Sequence, residues 1–217
     1  KILYKQGKYD EALKCFNKAL ELDKKYADAL KEKGKLLMDP KNKKKDYKEA
    51  QKCFDEALKL NPEDSDAMYN KGVVLNSMKN YEEALECFDK AIDSDPNNAD
   101  AKASREEAQK AVERAAIEGS YSGTISGEAG GSISFTIQGS TWSGSVSGSY
   151  NGDPFYGTIS GTADSSTGTL SGSLSGDVGG YGFGGGISGS VGGGSASGSW
   201  NAANQYGNPT GSWSASK

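Results

Sequence analysis

Histidine is absent from the 217 residues, which removes Ser-His and Cys-His nucleophile arrangements and every metal site that needs an imidazole. Cysteine is scarce: Cys15, Cys53 and Cys87 stand far apart, with no close pair to seed a zinc motif. Apolar runs are only a few residues long, well short of the roughly 20 that a membrane-spanning helix requires. The net charge is -4, with lysines mixed among Glu and Asp rather than gathered in a stripe, so nothing is set out to neutralise phosphates and no nucleic-acid partner is expected. A starting methionine is missing too, and the first helix is incomplete at Lys1, so the sequence reads as a fragment or a processed product.

What is present divides sharply. Of the 30 glycines, 27 lie after Glu118, whereas 49 of the 54 charged side chains lie at or before it. Two domains of ordinary single-core size follow from that partition. The expected class is α+β in two separate domains, with helices first and an all-antiparallel Gly/Ser-rich β meander second.

The first half repeats itself. KYDEALKCFNKALELD, DYKEAQKCFDEALKLNP and NYEEALECFDKAIDSDP superpose so that Tyr9, Tyr47 and Tyr81 coincide, as do Phe16, Phe54 and Phe88. Tyr47 to Tyr81 is a step of 34 residues; Tyr9 to Tyr47 is 38, the extra four falling in the basic run MDPKNKKKDY, where a loop between two helices absorbs them. Ala12/Ala50/Ala84 and Ala19/Ala57/Ala91 are small enough for helices to cross closely beside the large Phe. Gly34 and Gly72 do the same on the other helix of the pair, and Pro62 and Pro96 end the second helices. This pattern resembles the tetratricopeptide-repeat (TPR) family and assigns residues 1–98 to a TPR solenoid with a truncated first repeat. Residues 99–118 continue as a more polar helix of the kind that caps a solenoid.

The resemblance implies a groove lined by the first helices of the repeats, holding a peptide or protein partner. Its groove-facing positions here would be Lys31, Lys35 and Met38 in the second repeat and Tyr69, Val73 and Asn76 in the third. One TPR subset clamps a chaperone's C-terminal carboxylate with Lys, Asn and Arg from successive first helices. Asn70 matches one such position, but the first repeat lacks most of its first helix and no Arg precedes Arg105, so that set is not reproduced. Each Cys directly precedes the large Phe of its repeat, and equivalent positions are separated by an intervening helix. Helix axes roughly 8 to 10 Å apart argue against an intramolecular disulfide, and the thiols read as small apolar side chains or, alternatively, as disulfide partners between molecules.

From Gly119 onward the period is two. Trp142, Gly144, Val146, Gly148 and Tyr150 share one face, while Ser143, Ser145, Ser147 and Ser149 share the other. The same alternation recovers strands around Ile125, Phe135, Ile159, Leu170, Ile187, Trp200 and Trp213, about eight in all. Turn signals at Glu128 to Gly131, Gly139-Ser140, Asn151 to Pro154, Asp164 to Ser166, Asp177 to Gly180, Gly192 to Gly194 and Asn208-Pro209 are too short for crossovers, so the strands run antiparallel. Glycine on the apolar face implies close approach of another layer, which a closed barrel, a thin sandwich or stacked sheets would each supply. Between Gly119 and Ser216 there is no Lys or Arg and there are only four acids, so charged guards against edge pairing are missing. On a meander the edges are the first and last strands, with Thr124 and Ile125 on one and Trp213 and Ser214 on the other.

No catalytic constellation, metal site or cofactor motif emerges, and the acids of the helical half read as solvated or helix-end charges. Gly-rich strings such as GGYGFGGG lack the Lys-Ser/Thr and following helix of a phosphate loop. By composition and domain pairing the whole chain resembles the hoop-forming sheath proteins of filamentous methanogenic archaea. That resemblance implies a non-enzymatic, extracellular or cell-surface structural protein that joins copies of itself by strand pairing in an amyloid-like manner. A monomeric TPR adaptor, cytoplasmic or with a β domain that binds protein or glycan at the cell surface, is the alternative.

Overall fold

The computed structural model describes residues 2–203 and 207–217 and resolves into two compact units, residues 1–111 and 112–217. The first contains α1 (Ile2–Lys5), α2 (Tyr9–Leu22), α3 (Ala27–Met38), α4 (Tyr47–Leu60), α5 (Ser65–Ser77), α6 (Tyr81–Ser94) and most of α7 (Ala99–Ile117). Helix starts are set by short acceptors. The Asp46 carboxylate accepts from Glu49 N at 2.9 Å and that of Asp64 from Ala67 N at 3.0 Å, each satisfying an N–H that the first turn leaves open. α4 and α6 stop just before Pro62 and Pro96, whose rings cannot continue a helix.

The helices pack as the repeat demands. Ala50, Ala84, Phe54 and Phe88 are fully buried. A Cβ placed on Gly34 would lie 2.6 Å from the Phe54 ring, and one on Gly72 2.6 Å from Phe88. Phe16 is half-buried. The four extra residues lie in the connection from α3 to α4, which is pinned where the buried Asn42 side chain donates to Leu36 O at 2.9 Å. Cys15 is exposed, Cys53 buried and Cys87 half-buried, all three as free thiols, and burial pushes the Cys53 thiol up to about 11.

The second unit is a closed antiparallel barrel of β1 (Gly119–Gly127), β2 (Ala129–Gln138), β3 (Thr141–Tyr150), β4 (Asp153–Asp164), β5 (Thr169–Val178), β6 (Tyr181–Gly192), β7 (Ser195–Ala203) and β8 (Thr210–Ser216). The alternation places every expected apolar position inward. Tyr121, Ile133, Phe135, Trp142, Ile159, Leu170, Ile187, Trp200 and Trp213 belong to one buried cluster. Phe135 stacks on Tyr121 at 5.1 Å and meets the rings of Trp142 and Trp213 at 5.5 and 5.6 Å. Ile117, in the last turn of α7, joins the same cluster, and its carbonyl accepts from the Tyr121 hydroxyl at 2.8 Å.

Closure corrects one expectation. β1 and β8 are not edges: Thr124 lies opposite Ser214 and Ile125 opposite Trp213, so the residues expected to join different molecules pair with each other within one barrel. Eight strands with glycines set among large inward side chains can coil far enough to meet, which satisfies the backbone groups an open meander would leave bare. A second correction is local. Ala129, Gly130 and Gly131 belong to β2 rather than to a turn, and the chain reverses at Glu128. Gly131 can do so because Ser147 O occupies the space where its Cβ would be, 2.1 Å away.

Inward glycines let strands and rings meet. A Cβ on Gly172 would lie 2.7 Å from the Trp142 ring, and on Gly189 2.5 Å from Trp213. Each indole N–H donates to a main-chain carbonyl of another strand: Trp142 to Thr162 O of the adjacent β4 at 3.1 Å, and, two strands away, Trp213 to Ser188 O of β6 at 3.2 Å and Trp200 to Ser126 O of β1 at 3.3 Å. Outside, hydroxyls pair across strands, as in Ser132–Ser147 at 3.0 Å and Ser134–Ser145 at 3.2 Å. Apolar in and polar out is the reverse of the pattern on a lipid-facing barrel wall. Among the described residues no helix is long and apolar enough to cross a membrane.

Two outcomes are expected. Gly189→Ala should lower stability by about 1–3 kcal/mol, since Ser197 O at 2.2 Å is main chain and cannot yield, whereas Gly192→Ala, with nothing within 4 Å, should change it by less than about 0.5 kcal/mol. Denaturant unfolding followed by tryptophan fluorescence compares them, and equal losses would contradict the packing described. Thr124→Lys with Ser214→Lys sets like charges opposite one another across the closing seam. The double variant should lose about 0.2–1 kcal/mol more than the two single changes together.

Candidate functional site

α3 and α5 are the first helices of the second and third repeats, so Lys31 and Tyr69, Lys35 and Val73, and Met38 and Asn76 are equivalent pairs one 38-residue step apart. The structure treats the polar and apolar members differently. Tyr69 and Val73 are half-buried against the cluster of Leu75, Ala84, Phe88 and Ala108, with the Tyr69 ring 6.1 Å from that of Phe88. Met38 packs likewise on Leu37, Ala50, Cys53, Phe54 and Val74. Each therefore leaves exposed only the part of its side chain that the core does not cover.

Neither lysine stands free. Lys31 Nζ donates to Asp64 Oδ2 at 2.7 Å and lies 3.7 Å from Asp28 and 4.0 Å from Asp66. Lys35 Nζ donates to both Asp66 oxygens, at 2.9 and 2.7 Å. These contacts tie α3 to the first turn of α5. Burial by itself disfavours the charge on Lys31, but the hydrogen bond and charge of Asp64 outweigh it and the pKa rises. Burial likewise works against the Asp64 carboxylate, and donation from Lys31 and Ala67 N overcomes it, so its pKa falls below the ordinary carboxylate value.

Asn70, the position nearest to a carboxylate clamp, is buried and donates to Asp66 O at 2.6 Å and Asp66 Oδ1 at 3.0 Å, which commits its amide to its own helix. Asn76 differs. Its Oδ1 is buried without a hydrogen-bond partner among the described residues, an unmet acceptor of a kind that costs stability.

Asp28, Asp64 and Asp66 are the members that sequence reasoning missed, because an Asp at a helix start is ordinarily a cap or a solvated charge. A signal was available: Lys31 to Asp64 and Lys35 to Asp66 span 33 and 31 residues, five and seven short of the 38-residue step, so each Asp stands one to two turns before the counterpart of its lysine. A second brace does follow the repeat. Lys71–Asp55, at 2.6 Å, and Arg105–Asp89 lie one 34-residue step apart. Lys33 takes the same position one repeat earlier, where the partner site holds Asn17, and it pairs with Glu49 at 3.0 Å instead. Arg105 thus makes the start of α7 behave as a further first helix.

In the barrel, an apolar cavity of about 40 Å³ is lined by Val146, Phe155, Leu174, Phe183, Trp200 and Pro209 among others. Thr124, Ile125, Trp213 and Ser214 meet along the closing seam, far in character from an exposed joint.

Comparison with known proteins bears on the helices. A family model described as TPR repeat matches residues 1–39, and one described as Tetratricopeptide repeat matches residues 43–99. No curated protein matches the chain. Among solved structures, the second TPR domain of human RPAP3 in complex with an HSP70 peptide is 23% identical, with 49% of this chain and 86% of that one covered at a TM-score of 0.45. YrrB, a TPR protein with an unusual peptide-binding site, is 30% identical over 48% of this chain and 52% of its own, at 0.45. A tetratricopeptide repeat protein from Parabacteroides merdae is 25% identical over 51% and 42%, at 0.47. None of these matches supports the resemblance to archaeal sheath proteins.

The ion pairs between α3 and α5 predict a definite pH window. Asp64, with its lowered pKa, contributes stability that is present above 3.8 and is lost as pH falls through its folded value. Lys31, with its raised pKa, contributes below 10.5 and loses that contribution as pH rises through its folded value. Asp64→Asn keeps a capping acceptor and removes the charge, so a cycle with Lys31→Met isolates the pair. A coupling of about 1 kcal/mol at pH 7 is expected, shrinking as acid protonates Asp64 below its lowered pKa; a coupling unchanged by acid would remove the ion pair as its source.

Proposed function

Because the first half of the chain is built of tetratricopeptide repeats, we propose that it works as a non-catalytic interaction module that holds a peptide segment of a partner against α3 and α5. The barrel is the self-contained second module of an adaptor. The observation that carries this reading is the half-covered row of Met38, Tyr69 and Val73. These side chains are anchored by the repeat core and keep apolar surface beyond it, the arrangement that a bound side chain needs. Self-assembly by strand addition has lost its basis, since closure of β1 on β8 leaves no unpaired strand at either end of the meander.

The test is selection of a random linear peptide library on the full chain. Tyr69→Ala should abolish most of the enrichment while lowering the melting temperature less than Phe88→Ala, whose ring is fully buried and whose truncation should cost about 3–5 kcal/mol. Enrichment that survives Tyr69→Ala would place peptide binding elsewhere. Equal destabilisation by the two changes would make Tyr69 a core residue and remove the groove.

A further inference from the structure

Resting on that reading of the groove, we infer that its partner is a cationic peptide segment, with Lys or Arg flanking an apolar anchor, and that acidic peptides are excluded. Charge accounting around α3 and α5 leads there. Two ammonium groups, Lys31 and Lys35, face three carboxylates, Asp28, Asp64 and Asp66, which leaves one negative charge uncompensated. Exposure sharpens the imbalance. The lysine side chains are 18% and 29% exposed, whereas those of Asp28 and Asp66 are 68% and 48% exposed. An approaching ligand therefore meets a larger exposed fraction of the carboxylate side chains than of the lysines paired with them.

An acidic ligand would have to draw Lys31 from Asp64 or Lys35 from Asp66. Asp64 is only 14% exposed and caps α5, so a departing Lys31 would strand a carboxylate that water reaches poorly. Asn70 cannot replace the lysine toward an anion, because both its contacts are made to Asp66. A cation instead needs no rearrangement: it adds to the exposed oxygens of Asp28 and Asp66 and offsets the excess charge. Asn76, with its unpaired Oδ1, likewise lacks a donor and not an acceptor. α7 continues the pattern, with exposed Glu107 one repeat after Val73.

The experiment is the composition of the peptides that a random linear library yields on the full chain, followed by titration of a synthesised consensus peptide by fluorescence anisotropy. Lys and Arg should outnumber Asp and Glu beside the apolar anchor. Asp28→Asn and Asp66→Asn should each weaken binding about two- to fivefold, the range of a single exposed ion pair. Asn at either position keeps an acceptor oxygen, and unchanged circular dichroism verifies the fold. Enrichment of acidic peptides whose binding still depends on Tyr69 would overturn the charge assignment and leave the groove standing. Affinity for a cationic consensus unchanged in both Asp variants would also overturn it. Absence of any enrichment above the Tyr69→Ala control would remove the groove itself, and the cationic partner with it.

Discussion

An aromatic ring seated where a glycine has no side chain is the contact on which both units depend. In the helical unit Phe54 rests on Gly34 and Phe88 on Gly72, and in the barrel Trp142 rests on Gly172, Trp213 on Gly189 and Trp200 on Gly211. The missing Cβ lets large rings approach the main chain, where dispersion contacts are dense and an indole N–H can reach a carbonyl. Helices then cross closely enough to stack, and strands coil tightly enough to close. The same device serves two architectures because its requirement is local: one small residue opposite one large one.

Closure of the barrel changes the meaning of its composition. A Gly/Ser-rich meander without charged guards is hazardous as an open sheet, and here the hazard is removed by pairing the first strand with the last. The Ser and Thr rows become an outer wall whose hydroxyls satisfy one another across strands, while the apolar rows fill the interior. Few charges stand on this unit, whose outer face carries paired hydroxyls and whose first and last strands are paired by closure.

Charge in the helical unit is structural before it is functional. Lys31 and Lys35 brace α3 to α5, Lys71 and Arg105 brace each first helix to the preceding second helix, and Asp64 serves at once as cap and counter-ion. What remains for a ligand is the residue of that bracing: exposed carboxylates and half-covered apolar side chains. Groups best able to bind an anion are the ones already spent on holding the repeats together.

Much of this was legible in the residues alone. The 34-residue step, the Ala/Phe positions and the alternation of Gly and aliphatic residues with Ser determine helix pairs and eight strands, because periodicity reports which side of an element is buried. Lys31, Lys35, Met38, Tyr69, Val73 and Asn76 are groove positions only by the family resemblance that this periodicity carries, and their availability is not in the periodicity at all. Whether Lys31 is free depends on Asp64, 33 residues away, and whether Thr124 lies on an edge depends on Ser214, 90 residues away. Local pattern assigns a face to a side chain; only the tertiary structure decides what stands opposite that face, since strand coiling and helix stacking accumulate over the whole unit and no single segment encodes where its ends will meet.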